Sequence, residues 1–188
     1  MKLREYQNNI AIQAANKLTA FGCCYLPMEC RTGKTLTALY AADKFNAKSV
    51  LFITKLKAIP SVKNDYIALQ PSFKLEVVNF ESSHKVTVKY DLVIIDEAHS
   101  LGAYPKPSKR TQEIRTICEG LPVLYLSGTP SPESYSQLYH QFWVCSKSPW
   151  KSYKSFYKWA KEYVYTRQKR VNGYLINDYS CANKPKID

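Results

Sequence analysis

The segment Leu92–His99, LVIIDEAH, joins four apolar residues directly to two adjacent acids. An unbroken apolar run of this length is typical of a strand buried on both faces, as in a parallel sheet. Asp96 and Glu97 follow at the end of that strand, where two neighbouring carboxylates are costly to bury without a cation. The segment therefore predicts a buried strand that delivers a magnesium-binding acidic pair to one edge of a sheet.

Strand and helix patterns alternate on either side of this segment. The predicted strands are residues 21–27, 49–54, 75–78, 92–96 and 123–126. The predicted helices are residues 3–18, 34–45, 56–69 and 112–118. Such alternation predicts an α/β fold with a mostly parallel central sheet and helices on both faces.

A second short string, Gly33-Lys34-Thr35, follows the first predicted strand and lies at the start of the next predicted helix. A phosphate-binding loop needs backbone N–H groups aimed inward, a lysine for the terminal phosphates and a hydroxyl for magnesium. These three residues supply that set, although Met28 stands where the strict P-loop pattern has its first glycine. The string alone is equally compatible with an ordinary helix start.

A third string, Ser127-Gly128-Thr129-Pro130, follows the predicted strand that ends at Leu126. Its hydroxyls are expected at the carboxyl edge of the sheet, which is where ligands bind in open α/β sheets. Without the other two strings it would be interpreted as a plain turn.

The chain has 188 residues, and 27 lysines and arginines against 15 acids give it a net charge of +12. Such an excess favours a polyanionic partner, usually nucleic acid, although a merely basic surface is the open alternative. No apolar run approaches the length of a membrane span, and residues 1–5 lack the apolar stretch of a signal peptide. We therefore expect no membrane partner and a cytoplasmic location.

Residues 146–188 differ in composition from residues 1–145, and we expect a basic, aromatic extension there. From residue 147 onward, ten lysines and arginines stand against three acids, and nine of the 25 aromatic residues occur there. Residues 153–164 predict a helix whose aromatic face packs on the main domain while its lysines remain free to meet phosphates. Beyond Thr166 the sequence predicts an irregular tail.

The ordered set of strings resembles the first RecA-like lobe of superfamily 2 helicases, in particular the Swi/Snf-type DNA translocases of phages and bacteria. The similarity covers about residues 3–145. It includes Leu3–Gln7 as the opening motif, Met28–Thr35 as motif I and Phe52–Lys55 as motif Ia. Asp96–His99 matches motif II, the DEAH form, and Ser127–Pro130 matches motif III.

The resemblance implies Mg²⁺ and ATP as cofactors and double-stranded DNA as the partner. Gln7, supported by Arg4, would recognise adenine, and Lys34, Asp96 and Glu97 would be the catalytic residues. Thr35 and Asp96 would hold the metal, and the loop residues that would contact nucleotide are Glu29, Arg31, Thr32, Gly33, Lys34 and Thr35. The residues that would couple nucleotide state to DNA are His99, Ser127, Gly128 and Thr129. The DNA-contact candidates are Thr54, Lys55, Lys106, Lys109 and Arg110.

A complete translocase of this family also has a second RecA-like lobe that supplies arginines to the γ-phosphate. The 43 residues after Cys145 are too few for such a lobe, and Arg167 and Arg170 do not resemble its arginine motif. We therefore expect weak or absent hydrolysis by this chain alone, with residues 146–188 leading toward a lobe in cis or working with one in trans. The alternative is a non-catalytic nucleic-acid-binding protein on a helicase-lobe scaffold, and a small P-loop kinase is a third hypothesis.

Overall fold

The computed structural model describes residues 3–29 and 31–187, except for the side chains at positions 184 and 185. Its centre is a five-stranded sheet in the order β1-β5-β4-β2-β3, and every strand pair is parallel. The strands are β1 (Cys23–Pro27), β2 (Ser49–Thr54), β3 (Lys74–Asn79), β4 (Leu92–Ile95) and β5 (Val123–Ser127). The predicted parallel sheet of apolar strands is therefore present.

Helices cover both faces of this sheet. In chain order, the helices among the described residues are α1 (Glu5–Phe21), α2 (Lys34–Lys44), α3 (Ile59–Leu69), α4 (Lys109–Ile117), α5 (Gln137–Trp143), α6 (Phe156–Tyr163) and α7 (Lys184–Ile187). Successive strand residues point to opposite faces, so Val50 and Phe52 join a core with α1, α2 and α3. Leu51 and Ile53 join a second core that includes residues of α4. This two-sided burial explains why the strands are apolar without alternation.

Some boundaries differ from the prediction for local reasons. Phe21 ends α1 instead of starting β1, because Gly22 takes a left-handed φ of +69° and terminates the helix. Helix α4 starts three residues earlier than predicted, since the Ser108 hydroxyl caps it by accepting from the Thr111 N–H at 3.1 Å. Helix α5 was not predicted from the sequence.

Aromatic residues of α6 pack on α5, in line with the interpretation made from their spacing. Phe156, Trp159 and Ala160 on α6 are buried with Tyr139 in a third core. The described part of the chain contains no helix with both the length and the apolar character needed to cross a bilayer.

The prediction of an irregular tail after Thr166 is wrong. Strands β6 (Arg167–Val171) and β7 (Tyr174–Asp178) form an antiparallel hairpin, which we call the ribbon. Asn172 and Gly173 turn it with φ values of +49° and +84°, as a two-residue type I′ turn requires. Asn-Gly is a strong hairpin signal, but the mostly polar β6 lacks the apolar alternation by which strands are recognised.

Candidate nucleotide-binding site

The predicted motif segments meet at the carboxyl edge of the sheet. Strands β1, β5, β4 and β2 are successive neighbours and run in the same direction, so the segments after them emerge side by side. These segments are residues 28–33 after β1, 55 after β2, 96–99 after β4 and 128–130 after β5. The topology therefore gathers the separate strings into one site.

The loop between β1 and α2 has the backbone of a tight turn. Gly33 lies at the N-cap of α2 with a φ of +80°, and Arg31 also has a positive φ of +64°. Inside the loop, the Thr32 hydroxyl donates to the Glu29 carbonyl at 2.7 Å. Cys30 lies outside the described residues. The loop thus brings Lys34 and Thr35 to a helix N-terminus whose free N–H groups favour an anion.

Met28 explains how the loop begins without the expected glycine. Its side chain is buried in the core beneath α1 and α2. Its N–H donates to the Leu26 carbonyl at 3.0 Å. Met28 therefore fixes the start of the loop. The positive φ that favours glycine occurs at Gly33, not at position 28.

The opening motif holds this loop from the side. The Gln7 side chain is only 6% exposed, and its Nε2 donates to the Thr32 carbonyl at 3.2 Å. Its Oε1 accepts from the Arg4 N–H at 2.9 Å, and the exposed Tyr6 hydroxyl donates to the same Thr32 carbonyl at 2.8 Å. The Gln7 amide is therefore bonded to protein at both ends and fixes the loop relative to α1.

Asp96 is the central acid of the site. Its Oδ2 accepts from the Thr54 hydroxyl at 2.8 Å, and its Oδ1 accepts from the Glu97 N–H at 3.0 Å. Burial raises the Asp96 pKa above its ordinary value, and the Glu97 charge raises it further, while the Thr54 hydrogen bond and the Lys34 charge lower it. A partly desolvated carboxylate beside a second acid and a lysine fits a site for Mg²⁺ and phosphate.

The role predicted for Thr54 needs correction. Its side chain is 0% exposed and its hydroxyl is bonded to Asp96, so this side chain cannot contact DNA. Thr54 instead positions an acid of the site, because β2 and β4 are neighbouring strands. The next residue, Lys55, is exposed at the same edge.

A chain of polar contacts links the motifs after β4 and β5. Nδ1 of His99 lies 3.2 Å from Glu97 Oε2 and 3.0 Å from Ser127 Oγ. The carboxylate only accepts, so Nδ1 holds the proton. Ser127 Oγ also accepts from the Thr129 N–H at 3.1 Å, across Gly128. The residues predicted to couple nucleotide to DNA are therefore in direct contact.

Sequence reasoning missed two residues that support this chain of contacts. The Tyr25 hydroxyl donates to Gln141 Oε1 at 2.7 Å, and Gln141 Nε2 donates to the Pro130 carbonyl at 2.7 Å. Gln141 is fully buried on α5 and fixes the turn after β5. No local signal marks this role, since Tyr25 and Pro130 lie 116 and 11 residues away from Gln141.

The basic candidates near this edge differ in their surroundings. Lys106 and Lys109 are exposed, with Lys109 in a loose 3.9 Å contact to Glu113. Arg110 pairs with Glu81 at 3.0 Å and lies over the Phe80 ring. Arg110 thereby joins the start of α4 to the segment after β3, while the two lysines remain free to meet a partner.

A comparison with solved structures supports the fold. The chain resembles a nuclease-deletion mutant of the Type ISP restriction-modification enzyme LlaGI, solved in complex with a DNA substrate mimic, with a TM-score of 0.50. The identity is 16%, and the match covers 70% of this chain and 18% of that chain, so the chain spans less than a fifth of this neighbour. Neither protein-family models nor curated protein sequences give a match. The predicted α/β, RecA-like fold is confirmed at the level of architecture.

Proposed function

We propose that the chain is the ATP-binding lobe of a nucleic-acid-dependent ATPase, a Swi/Snf-like translocase of helicase superfamily 2. The observation that supports this most is the environment of Asp96. This acid is held by Thr54 on a neighbouring strand, has Glu97 beside it and interacts with the charge of Lys34. A lysine from a helix N-terminus and an acidic pair at one sheet edge form the arrangement that magnesium-bound triphosphates require.

Each residue has a defined task in this proposal. Lys34 and the N–H groups at the start of α2 would bind phosphate, and Thr35 and Asp96 would hold the Mg²⁺. Glu97 orients the attacking water and accepts a proton from it. The bound Mg²⁺ would neutralise charge on the phosphate oxygens.

The opening motif belongs to the adenine side of the site. Gln7 and Tyr6 hold the Thr32 carbonyl, and Arg4 is exposed next to them. A base bound there would lie against the part of the loop that precedes the phosphate-binding residues. The proposal accordingly assigns Arg4 and Gln7 to the base, and Glu29, Arg31 and Thr32 to the shape of the loop.

Turnover by this lobe is expected to be slow without a second RecA-like lobe. Among the described residues, Lys34 is the cation that interacts with the acidic pair. No second lobe is present there to supply an arginine to the γ-phosphate. Removing such an arginine costs about 10³–10⁵ in rate in related phosphoryl-transfer enzymes. A second lobe, in cis or in trans, is therefore part of the proposal.

The partner we propose is duplex DNA. The neighbouring structure was solved with a DNA substrate mimic, and the net charge of +12 favours a polyanion. Exposed Lys55, Lys106 and Lys109 are available at the motif edge. The proposed protein acts in the cytoplasm, where ATP and DNA are both accessible in a bacterium or an infected bacterial cell.

The decisive experiment is calorimetric titration of the folded chain with ATP and magnesium. Lys34→Ala should abolish binding, whereas Lys63→Ala, a matched removal of an exposed lysine on α3, should leave it unchanged. Glu97→Gln should retain binding and lose any turnover measured with a second lobe present. Absence of Mg-ATP binding by the folded wild-type chain would refute the proposal.

A second candidate is a non-catalytic nucleic-acid-binding protein on the same scaffold. The observation that favours it is the basic extension, which from residue 147 onward has ten lysines and arginines against three acids. In that case DNA affinity should fall steeply with salt and be identical for the wild type and Glu97→Gln, with or without ATP. Any dependence of DNA binding on bound nucleotide would exclude this candidate.

A further inference from the structure

The ribbon, Arg167–Asp178, has no partner on either face for most of its length among the described residues. Residues 165–177 are all exposed, and the two strands form a sheet of their own. Tyr174 is 77% exposed and Leu175 is 61% exposed. A two-stranded hairpin is only marginally stable alone in water, so this exposure indicates a surface that a partner covers.

The distribution of charge on the ribbon indicates the class of partner. Lys169 is paired across the strands with Ile176 on one face, and Arg170 with Leu175 on the other. A sheet that docks on a protein normally presents one apolar face, whereas this ribbon has cations on both. In the part of the chain that the structure describes, neither Arg167 nor Arg170 has an acidic partner, because Asp178 pairs with Lys169 at 3.3 Å. Charge on both faces suits a partner with negative charge on two sides.

The base of the ribbon is fixed to the segment that follows the turn after β5. The Ser134 hydroxyl donates to the Ser180 carbonyl at 2.6 Å, and the Ser136 hydroxyl donates to the Tyr179 carbonyl. Both serines lie shortly after the turn that follows β5. Lys169 of the ribbon and Tyr104 line the same cleft. Tyr104 precedes the exposed Lys106 by two residues. The ribbon therefore stands at the same edge as the exposed lysines.

We propose that the ribbon is a DNA-binding element that enters the major groove of duplex DNA. Arg167 and Arg170 contact the phosphates on the two sides of the groove, and Tyr174 at the tip contacts the base edges. Five residues per strand give a ribbon about 17 Å long. The major groove is about 12 Å wide and about 8.5 Å deep, and admits a two-stranded ribbon. The choice of DNA rests on the proposed function, but this contact needs no nucleotide.

The dimensions of the major groove differ between duplex DNA and duplex RNA. The major groove of A-form RNA is too deep and narrow for protein side chains to read. A ribbon that enters the groove should therefore prefer duplex DNA over duplex RNA of the same sequence. A ribbon that only contacts phosphates should bind both alike.

The test is fluorescence anisotropy of the full chain with a labelled 20-base-pair DNA duplex, without nucleotide, at several salt concentrations. The double variant Arg167→Ser/Arg170→Ser should bind at least tenfold more weakly at about 0.1 M salt. Its slope of log affinity against log salt should fall by about 2, since each phosphate contact contributes about 0.9. Tyr174→Ser should weaken binding without changing the slope.

The matched control is Lys48→Ser/Lys74→Ser, which removes two exposed cations at the opposite, amino edge of the sheet. It should change neither affinity nor slope by a comparable amount. Equal losses in the two double variants, or wild-type binding by the ribbon variant, would overturn the proposal. Equal affinity of the wild type for duplex RNA and duplex DNA would also overturn it. The same holds if the ribbon variant keeps its DNA affinity and loses only association with a second protein lobe. Mg-ATP titration of the same variant tests the proposed function separately, because Lys34 and Asp96 are unaltered.

Discussion

Ser127 Oγ lies 3.0 Å from Nδ1 of His99, and this contact joins the ends of the adjacent strands β4 and β5. The same nitrogen lies 3.2 Å from the Glu97 carboxylate, and Ser127 also accepts from the Thr129 N–H. A shift of Glu97 is therefore transmitted to the turn after β5 through a single imidazole. That turn is held on its far side by Gln141.

The His99–Ser127 contact should appear as a coupling energy. We expect His99→Ala and Ser127→Ala to be non-additive in urea unfolding, with a double-mutant coupling of about 0.5–1.5 kcal/mol. The combination of Ser127→Ala with His84→Ala, an exposed histidine, should be additive within about 0.5 kcal/mol. Additivity in both pairs would show that the 3.0 Å contact has no energetic role.

Gly33→Ala should lower the stability of the protein by more than the cost of the positive φ alone. An added Cβ would lie 2.3 Å from Gln7 Nε2, and the φ of +80° is unfavourable for alanine. Gly120→Ala is the matched control, because Gly120 has a φ of +76° and no atom within 4 Å of the added Cβ. We expect Gly120→Ala to lower stability by about 1 kcal/mol, and Gly33→Ala to exceed that loss.

ATP affinity should also distinguish Gly33→Ala from Gly120→Ala. Only Gly33→Ala should weaken ATP binding, by at least tenfold, because it displaces the side chain that holds the Thr32 carbonyl. Calorimetric titration measures this directly. Equal ATP affinity in both glycine variants would contradict the role of Gln7 in fixing the loop.

Thr54→Val should destabilise the protein through Asp96. Valine has nearly the same shape but leaves the partly buried Asp96 Oδ2 without its hydroxyl donor, which costs about 1–3 kcal/mol at neutral pH. The Thr54 bond lowers the Asp96 pKa, so its loss raises that pKa further. The penalty therefore applies above the folded-state pKa of Asp96 and shrinks as the pH falls through it.

Urea unfolding at pH 7 and at progressively lower pH measures this effect. Thr116→Val is the control, since Thr116 is exposed on α4 and its hydroxyl bonds only within the helix. It should change stability by no more than about 0.5 kcal/mol at any pH. A Thr54→Val penalty independent of pH would show that Asp96 is not the group affected.

His140 should make the fold sensitive to mild acid. It is 3% exposed, its Nδ1–H donates to the Ala103 carbonyl at 2.7 Å, and its ring stacks on Phe156. Burial lowers its pKa from 6.5 to about 4. The folded state thus resists protonation, and stability is fully present above pH 6.5 and falls as the pH drops from 6.5 toward 4. At about 1.4 kcal/mol per tenfold change in proton affinity, the loss reaches about 3 kcal/mol.

His140→Phe should flatten this dependence, although it also removes the bond to Ala103 and lowers stability at pH 7.5. Tryptophan fluorescence during urea unfolding between pH 4.5 and 8 follows the change. His84→Phe, at an exposed position, should leave the pH dependence as in the wild type. An unchanged slope in His140→Phe would assign the acid sensitivity to other groups.

The sequence by itself determined the chain order of the five sheet strands and of helices α1 to α4, and with it the edge where the motifs meet. Apolar runs such as Leu92–Ile95 mark buried parallel strands, and parallel strands place the segments after them at one edge. Gly33, Lys34, Asp96 and Glu97 were predicted as site residues in this way, because their signals are local. The ribbon was also encoded locally, in Asn172-Gly173, but its polar strands concealed it.

Only the tertiary structure decided which side chains serve the site from a distance. Thr54 was predicted to face DNA and instead holds Asp96, because the register of β2 against β4 places its hydroxyl beside that acid. Gln141 and Tyr25 support the turn after β5 through contacts across α5 and β1. Hydrogen bonds between residues far apart in the chain depend on packing of whole elements, and no local pattern in the sequence specifies them.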